Sequence, residues 1–432
     1  MKKVISIILA LSLLLIIAAC GAPAAPAPAA PDPAPAAPAA PAAPAAPAAP
    51  VDPPAPADEV PFPGIIAIVT NTLDQNEEEF RSAEALVNRY GSDRVIHRTW
   101  PVNFGAEGEM MITILTDIAS NPEVGAIIIN QAVVNTIAAI DAVRAMRGDD
   151  IFIVTCSAAE DPADVSARVD LSLDVNNPAI GTYFVNQAVA MGAEAIVHIS
   201  FPRHMAVAPL AARRDRMMAA AEAAGIPFHE VDSLDPLGEG GMAAAQIYIA
   251  QNVERWVEEF GQNTVFFSTN CGQQVPLLQQ VLATGAMYVQ PCCPSPFHAF
   301  PTAFGLASHI PTGVFGEDGR EIMHMRDVTE IIEATSHAVR AAGLEGRLSN
   351  WMVPASFVWT TVGFYYAVEW LNGNIPNWEP GAYPDMDILS RLIGDYTESI
   401  FGTRHYMTLD NMIIDGVRFP MFVLGIVPYL VY

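Results

Sequence analysis

Lysine is almost absent. Both lysines of the 432-residue chain, Lys2 and Lys3, stand at its start. Without them 19 of the 21 basic residues remain, all arginine, against 47 Asp plus Glu, a formal −28. A surface this acidic excludes nucleic acid and an anionic membrane face as general partners. It still allows a local arginine cluster to hold an anion. Short catalytic signatures are absent as well: the chain has no GxSxG elbow, no HExxH pair and no GxxxxGK[ST] loop. No catalytic constellation emerges, so the expectation is a protein that is not an enzyme and carries no cofactor or metal. Long apolar runs are confined to Val4–Ala19 and Met352–Val368. The second is interrupted by Pro354 and Gly363 and reads as a core helix rather than a span.

The first run follows Lys2-Lys3 and is too short for a durable membrane span, which makes residues 1–19 a secretory signal. It ends Ile17-Ala18-Ala19-Cys20-Gly21, which resembles a bacterial lipobox, and the resemblance implies lipidation of Cys20. Residues 20–60 are then built mostly from Ala, Pro and Asp. Such a stretch cannot bury a core and favours polyproline II. At about 3.1 Å per residue it reaches on the order of 100 Å, a stalk between lipid and globule.

Beyond the stalk, strands and helices alternate. Ile65–Val69, Val95–Thr99, Gly125–Ile129 and Ile151–Thr155 read as buried strands with polar tips, separated by helices near 76–90, 109–119 and 133–146. That alternation means a parallel, doubly wound sheet. Val169-Asp170-Leu171-Ser172-Leu173-Asp174 alternates with period two, as an edge-like strand with one wet face does. Asn177 can cap the next helix with Pro178 at its first position. From Ala195 the order repeats: strands at 195–199, 227–231, 265–267 and 287–289, offset from the first set by roughly 130–140 residues. Residues 61–175 and 176–300 are therefore read as two similar α/β lobes joined by a crossover near Asp174–Asn177. Residues 301–432 supply return crossovers, helices and a C-terminal strap, Phe419–Tyr432.

With its lipobox, stalk, matched lobes and crossover, the chain resembles a type I periplasmic (solute) binding protein in lipoprotein form. More narrowly it is similar to an uncharacterised bacterial lipoprotein family of unknown function with this fold. The resemblance spans about Phe62 to Gly373. It implies anchoring on the extracytoplasmic face of the cell membrane, a small-molecule solute, and ABC permease and ATPase components as partners. A sensing subunit for a membrane receptor and an exported enzyme stay open as alternatives.

In open α/β sheets, ligands sit beyond the carboxyl ends of the strands. The candidate ligand residues are therefore the tips: Asn71, Thr72, Trp100, Asn130, Gln131, Ser157 and Asp174 from the first lobe, and Phe201, Arg203, His204, Asn270, Gln273 and Gln290 from the second. Amide, hydroxyl and guanidinium groups beside a few aromatics suit a polar solute such as a sugar or nucleoside. Each tip also has an ordinary turn reading. Cys156, Cys271, Cys292 and Cys293 fall at strand tips too, with His298 nearby. They are readable as structural thiols, as a disulfide or as a soft-ligand site. The lack of a CxxC pair and the adjacency of Cys292 and Cys293 weigh against metal.

Overall fold

The computed structural model describes residues 60–306 and 326–432, apart from positions 74, 406 and 415. The signal segment, the lipobox at Cys20 and most of the stalk lie outside the described residues. The elements run β1 (Ile65–Thr70), α1 (Glu77–Tyr90), β2 (Val95–Thr99), α2 (Gly108–Ser120), β3 (Val124–Asn130), α3 (Thr136–Arg147), β4 (Phe152–Cys156), α4 (Pro162–Ser166) and β5 (Leu171–Val175). After the crossing come α5 (Asn177–Ala190), β6 (Ala195–Ser200), α6 (Pro202–Met205), α7 (Ala208–Ala224), β7 (Phe228–Asp232), α8 (Gly241–Phe260), β8 (Thr264–Ser268), α9 (Gln274–Thr284) and α10 (Phe300–Ala303). The remainder is α11 (Arg326–Ala341), β9 (Ser349–Trp351), α12 (Ala355–Leu371), α13 (Met386–Phe401), β10 (Thr408–Ile414), β11 (Val417–Ile426) and β12 (Tyr429–Val431).

Two sheets result. The first has the order β10-β11-β5-β4-β3-β1-β2, parallel except for β10 against β11. The second has β7-β6-β8 in parallel. Isolated bridges extend it: Met287 pairs with Val265, Tyr288 pairs with Leu348, and β9 then takes β12 antiparallel. The second lobe thus repeats the order of β2-β1-β3-β4-β5, with residues 287–288 standing where β4 stands in the first. The central strands β1, β3, β4, β6 and β8 are mostly apolar and buried, as strands of a parallel sheet covered on both faces are.

Two expectations near the crossover are corrected. The strand β5 is not an edge, because β11 pairs with it in parallel and every residue of β5 is buried. Its polar positions are satisfied internally, Ser172 accepting from the Thr155 hydroxyl at 3.0 Å. The cap of α5 is Asn176, which accepts from the N–H of Ala179 at 3.0 Å, leaving Asn177 and Pro178 inside the first turn. The missing Cβ of Gly181 lets α5 lie against α7: a methyl there would stand 2.4 Å from the carbonyl oxygen of Arg213.

The chain crosses between lobes at Val175–Asn177, again at Val353–Pro354 from β9 to α12, and a third time at Val427–Pro428 from β11 to β12. The apolar run at 352–368 becomes α12, which packs on β3, β4 and β5 and against α1 and α13. Phe364 meets Phe62 edge-on at 5.6 Å, and Trp370 stacks on Phe152 at 5.0 Å. Among the described residues no helix is long and apolar enough to cross a membrane. One apolar cluster runs through both lobes, from Ile66, Ile128 and Val154 to Ile196, Phe267 and Met287.

Candidate functional site

The polar ends of the two sheets meet at a buried cluster of ionisable groups. From the first lobe come Glu78 and Glu79, in the opening turn of α1, and Asp174 at the end of β5. From the second come Arg213 on α7, and Cys271, Cys292, Cys293 and His298 on the loops after β8 and after residues 287–289. Asn177 joins the two sets, accepting from Arg213 at 2.6 Å and donating to Asp174 at 3.2 Å.

Burial dominates the first-lobe acids. It pushes the Glu78 carboxyl up to about 7, against the opposing pull of His298, the Ser295 hydroxyl and the Phe357 N–H. That N–H, in the first turn of α12, lies 3.4 Å from Glu78 Oε1. Burial, then Cys293 and Glu78, hold Glu79 well above the usual carboxylate range. Its Oε1 accepts from Asn76 at 2.7 Å, while Oε2 is buried with no partner. Burial and Cys293 likewise push Asp174 up to about 7. Its Oδ1 accepts the Val175 N–H at 2.7 Å and the Ser157 hydroxyl at 3.3 Å, and its Oδ2 accepts from Asn177 at 3.2 Å.

Arg213 answers from the second lobe. Nη1 donates to Asn177 Oδ1 at 2.6 Å, and the guanidinium carbon lies 4.7 Å from the centre of the Phe267 ring. Nε and Nη2 are buried without partners. Burial lowers its pKa, while Cys292, Cys293, Asp174 and Cys271 pull it up. The sulfur of Cys271 lies 3.1 Å from that of Cys292 and 3.5 Å from that of Cys293, and the last two are 3.9 Å apart. None of the four described cysteines is in a disulfide. Burial works against the Cys292 thiolate, but hydrogen bonds from Cys271 and Cys293 and the charge of Arg213 hold its pKa well below the usual thiol range. Cys156, at the end of β4, is held well above that range by burial, Asp174 and Glu79.

The candidates read from strand tips divide into groups. Asn71 and Asp174 belong to the cluster; Asn71 donates to Gln131 Oε1 at 2.9 Å, and its own Oδ1 is buried without a partner. Ser157 supports Asp174. Trp100 donates to the Gln131 carbonyl at 2.9 Å, and Thr72 bonds to Gln75. Asn130 points back to α12, donating to the Ser356 carbonyl at 3.2 Å and to the Thr360 hydroxyl at 2.6 Å. In the second lobe Arg203 forms a two-bond ion pair with Asp235 at 2.8 and 2.7 Å. Phe201 packs against His204, centroids 4.2 Å apart. Burial, then Arg203, push the His204 imidazole down to about 3, and its Nδ1 meets the Thr269 hydroxyl at 3.0 Å. Asn270 caps the turn at Cys271–Gln273. Gln273 joins Ser268 to Ser233, and Gln290 bonds the Pro291 carbonyl and the Tyr429 hydroxyl.

Glu78, Glu79 and Arg213 are absent from the sequence reading. Glu77-Glu78-Glu79 looks like an ordinary acidic helix start. The available signal was position: the first turn after a strand tip in a parallel sheet faces the ligand side. Arg213 sits in Arg213-Arg214-Asp215-Arg216, which reads as a solvated face.

Comparisons with known proteins agree with this architecture. A protein from Clostridium difficile 630 described as a putative transcriptional regulator superposes with a TM-score of 0.63 at 20% identity, over 86% of this chain and 99% of that one. An ABC transporter solute binding protein from Clostridium phytofermentas with bound L-rhamnose gives 0.47 at 11% identity, over 85% and 96%. Two Treponema pallidum (strain Nichols) proteins, each described as uncharacterized, are 28% and 32% identical over 176 and 183 residues; each match covers 40% of this chain, and 79% and 80% of theirs. The fold, two α/β lobes built on parallel sheets, is shared with the Clostridium difficile protein. Residues 65–349 match the family model described as protein of unknown function (DUF3798), and the chain, two lobes with their charged ends face to face, belongs to that family.

Proposed function

We propose that the protein is an extracytoplasmic solute-binding lipoprotein, anchored through Cys20, that captures a small polar solute between its lobes for an ABC-type importer. One observation carries the reading. Asn71 Oδ1 and Glu79 Oε2 on the first lobe, and Arg213 Nε and Nη2 on the second, are buried polar atoms without protein partners. Buried polar groups are almost always paired, so orphans on facing lobes call for a ligand. An amide oxygen and a carboxyl on one side and guanidinium donors on the other suit a solute that offers both donors and acceptors, as a sugar or nucleoside does. Binding across both lobes favours the closed form by its differential contacts.

The test is mass spectrometry of small molecules released from the purified, denatured protein, followed by calorimetry with the molecule found. Asn71→Ala and Glu79→Gln, on one lobe, are each expected to weaken binding by about 5- to 150-fold, the equivalent of one good hydrogen bond to a buried ligand. Wild-type affinity in both variants would sink the reading.

A further inference from the structure

We propose that Cys271, Cys292 and Cys293, with His298, form a binding site for one thiophilic closed-shell metal ion, Zn(II) or Cu(I). The topology brings Cys271, Cys292 and His298 together and sets the Cys293 sulfur beside the other two sulfurs. Cys271 opens the turn after β8, and Cys292-Cys293 follow residues 287–288, which lie next to β8 in the sheet. Two neighbouring tips thus present three sulfurs within 3.9 Å of one another. A disulfide needs about 2.05 Å. Thiolates on a tetrahedral ion with metal–sulfur bonds of about 2.3 Å stand about 3.8 Å apart. Two of the observed separations, 3.5 and 3.9 Å, match that spacing, and the third, 3.1 Å, opens to it with a small shift.

His298 supplies the fourth donor. One of its ring nitrogens and the sulfurs of Cys271 and Cys292 lie within 4.8 Å of one another. Its Nδ1 is 2.9 Å from the Cys293 carbonyl oxygen, which can only accept, so Nδ1 carries the proton and Nε2 is left with a lone pair. That backbone bond is the outer support that metal-binding imidazoles commonly have. Adjacent cysteines can serve one ion here because Cys271 closes the triangle from the neighbouring tip.

Charge and donor type narrow the ion. Three thiolates on a divalent ion carry a net −1. The buried guanidinium of Arg213, which feels all three cysteines, carries the compensating +1. Sulfur donors reject Mg(II) and Ca(II), which require oxygen. The site shares Arg213 with the solute reading, but its four donors all come from the second lobe.

The experiment is titration of the thiol-reduced, full-length protein with Zn(II) and with Cu(I), each in competition with a chromophoric chelator, and with Cd(II) to read the thiolate charge-transfer absorption. One equivalent per chain is expected. Cys271→Ser and Cys292→Ser should each weaken binding at least 100-fold, about the upper end of what loss of an outer support costs. His298→Ala should weaken Zn(II), which takes four donors, and spare Cu(I) on three thiolates; His337→Ala, on an exposed position, should change neither. If a cysteine variant fails to fold, the wild type decides: its melting temperature should rise when metal replaces chelator. No binding at micromolar metal, wild-type affinity in folded Cys271→Ser, or a disulfide among these cysteines in the protein as isolated would each overturn the proposal. Metal bound with no organic solute sinks only the solute reading; solute bound with no metal sinks only this one.

Discussion

The first lobe brings oxygen to the interface: the carboxyls of Glu78, Glu79 and Asp174, and the amide of Asn71. The second brings sulfur and nitrogen: Cys271, Cys292 and Cys293, His298 and Arg213. Yet the strands carrying them follow one order, β2-β1-β3-β4-β5 in the first and β7-β6-β8 extended through residues 287–288 to β9 in the second. The repeated topology decides where functional side chains stand. The residues at matched tips decide what they hold. The guanidinium that faces Asp174 of the first lobe also faces the cysteines of the second, so the two sets share it.

The comparison breaks most visibly at Arg213. Arg213→Ala removes the cation facing Asp174 and leaves Asn177 Oδ1 without its donor. Removing one member of a buried charged set costs about 3–5 kcal/mol, read as a lower urea midpoint with unchanged slope. A loss below about 1 kcal/mol would mean that the acids are balanced some other way.

Proton uptake tests the first lobe. Glu78 and Asp174 titrate near 7 when folded, against ordinary values of 4.5 and 3.8. Between roughly pH 4 and 7 the folded chain therefore binds more protons than the unfolded one, and stability falls as pH rises through that window. The loss is on the order of 3 kcal/mol per carboxyl. Melting temperatures from pH 4 to 8 in ligand-free protein check the slope, and Glu78→Gln should remove part of it. Stability that rises with pH would refute the assignment of these two acids.

The smallest effect separates two arginines of the second lobe. Arg203 pairs with Asp235, and the two side chains are 35% and 27% exposed. Arg203→Ala should cost under about 1 kcal/mol, and less at high salt. A cost matching that of Arg213→Ala would show that burial is not what distinguishes them.

Much of the fold was legible because apolar strands and amphipathic helices carry their periods locally. Val265–Phe267 and Ile65–Val69 announce themselves. The alternation from Val169 to Asp174 misled, because a wet face and an internally bonded polar face look alike in one dimension. Only β11, arriving from the far end of the chain, tells them apart. The site was half legible. Tip position put Asn71, Asp174 and the cysteines at the facing ends of the sheets. It did not reveal that three sulfurs converge, since convergence depends on which strands are neighbours. Asn130, Gln273 and Gln290 looked equally available, but their amides are hydrogen-bonded within the protein.

The placement of β11 also dictates an order of assembly. Phe422 pairs with Ser172, so the first sheet keeps an open, apolar flank until the second lobe has been made. Contacts of such long sequence separation form slowly. An unpaired flank of this kind is a template for another chain's strand. The family-matched segment ends at residue 349, before α12, β10 and β11 begin. A fragment cut to that segment would present the flank of β5 bare and, without α12, one face of the sheet uncovered. It should aggregate where the whole chain folds, which makes the last fifth of the protein the closing piece of its first lobe.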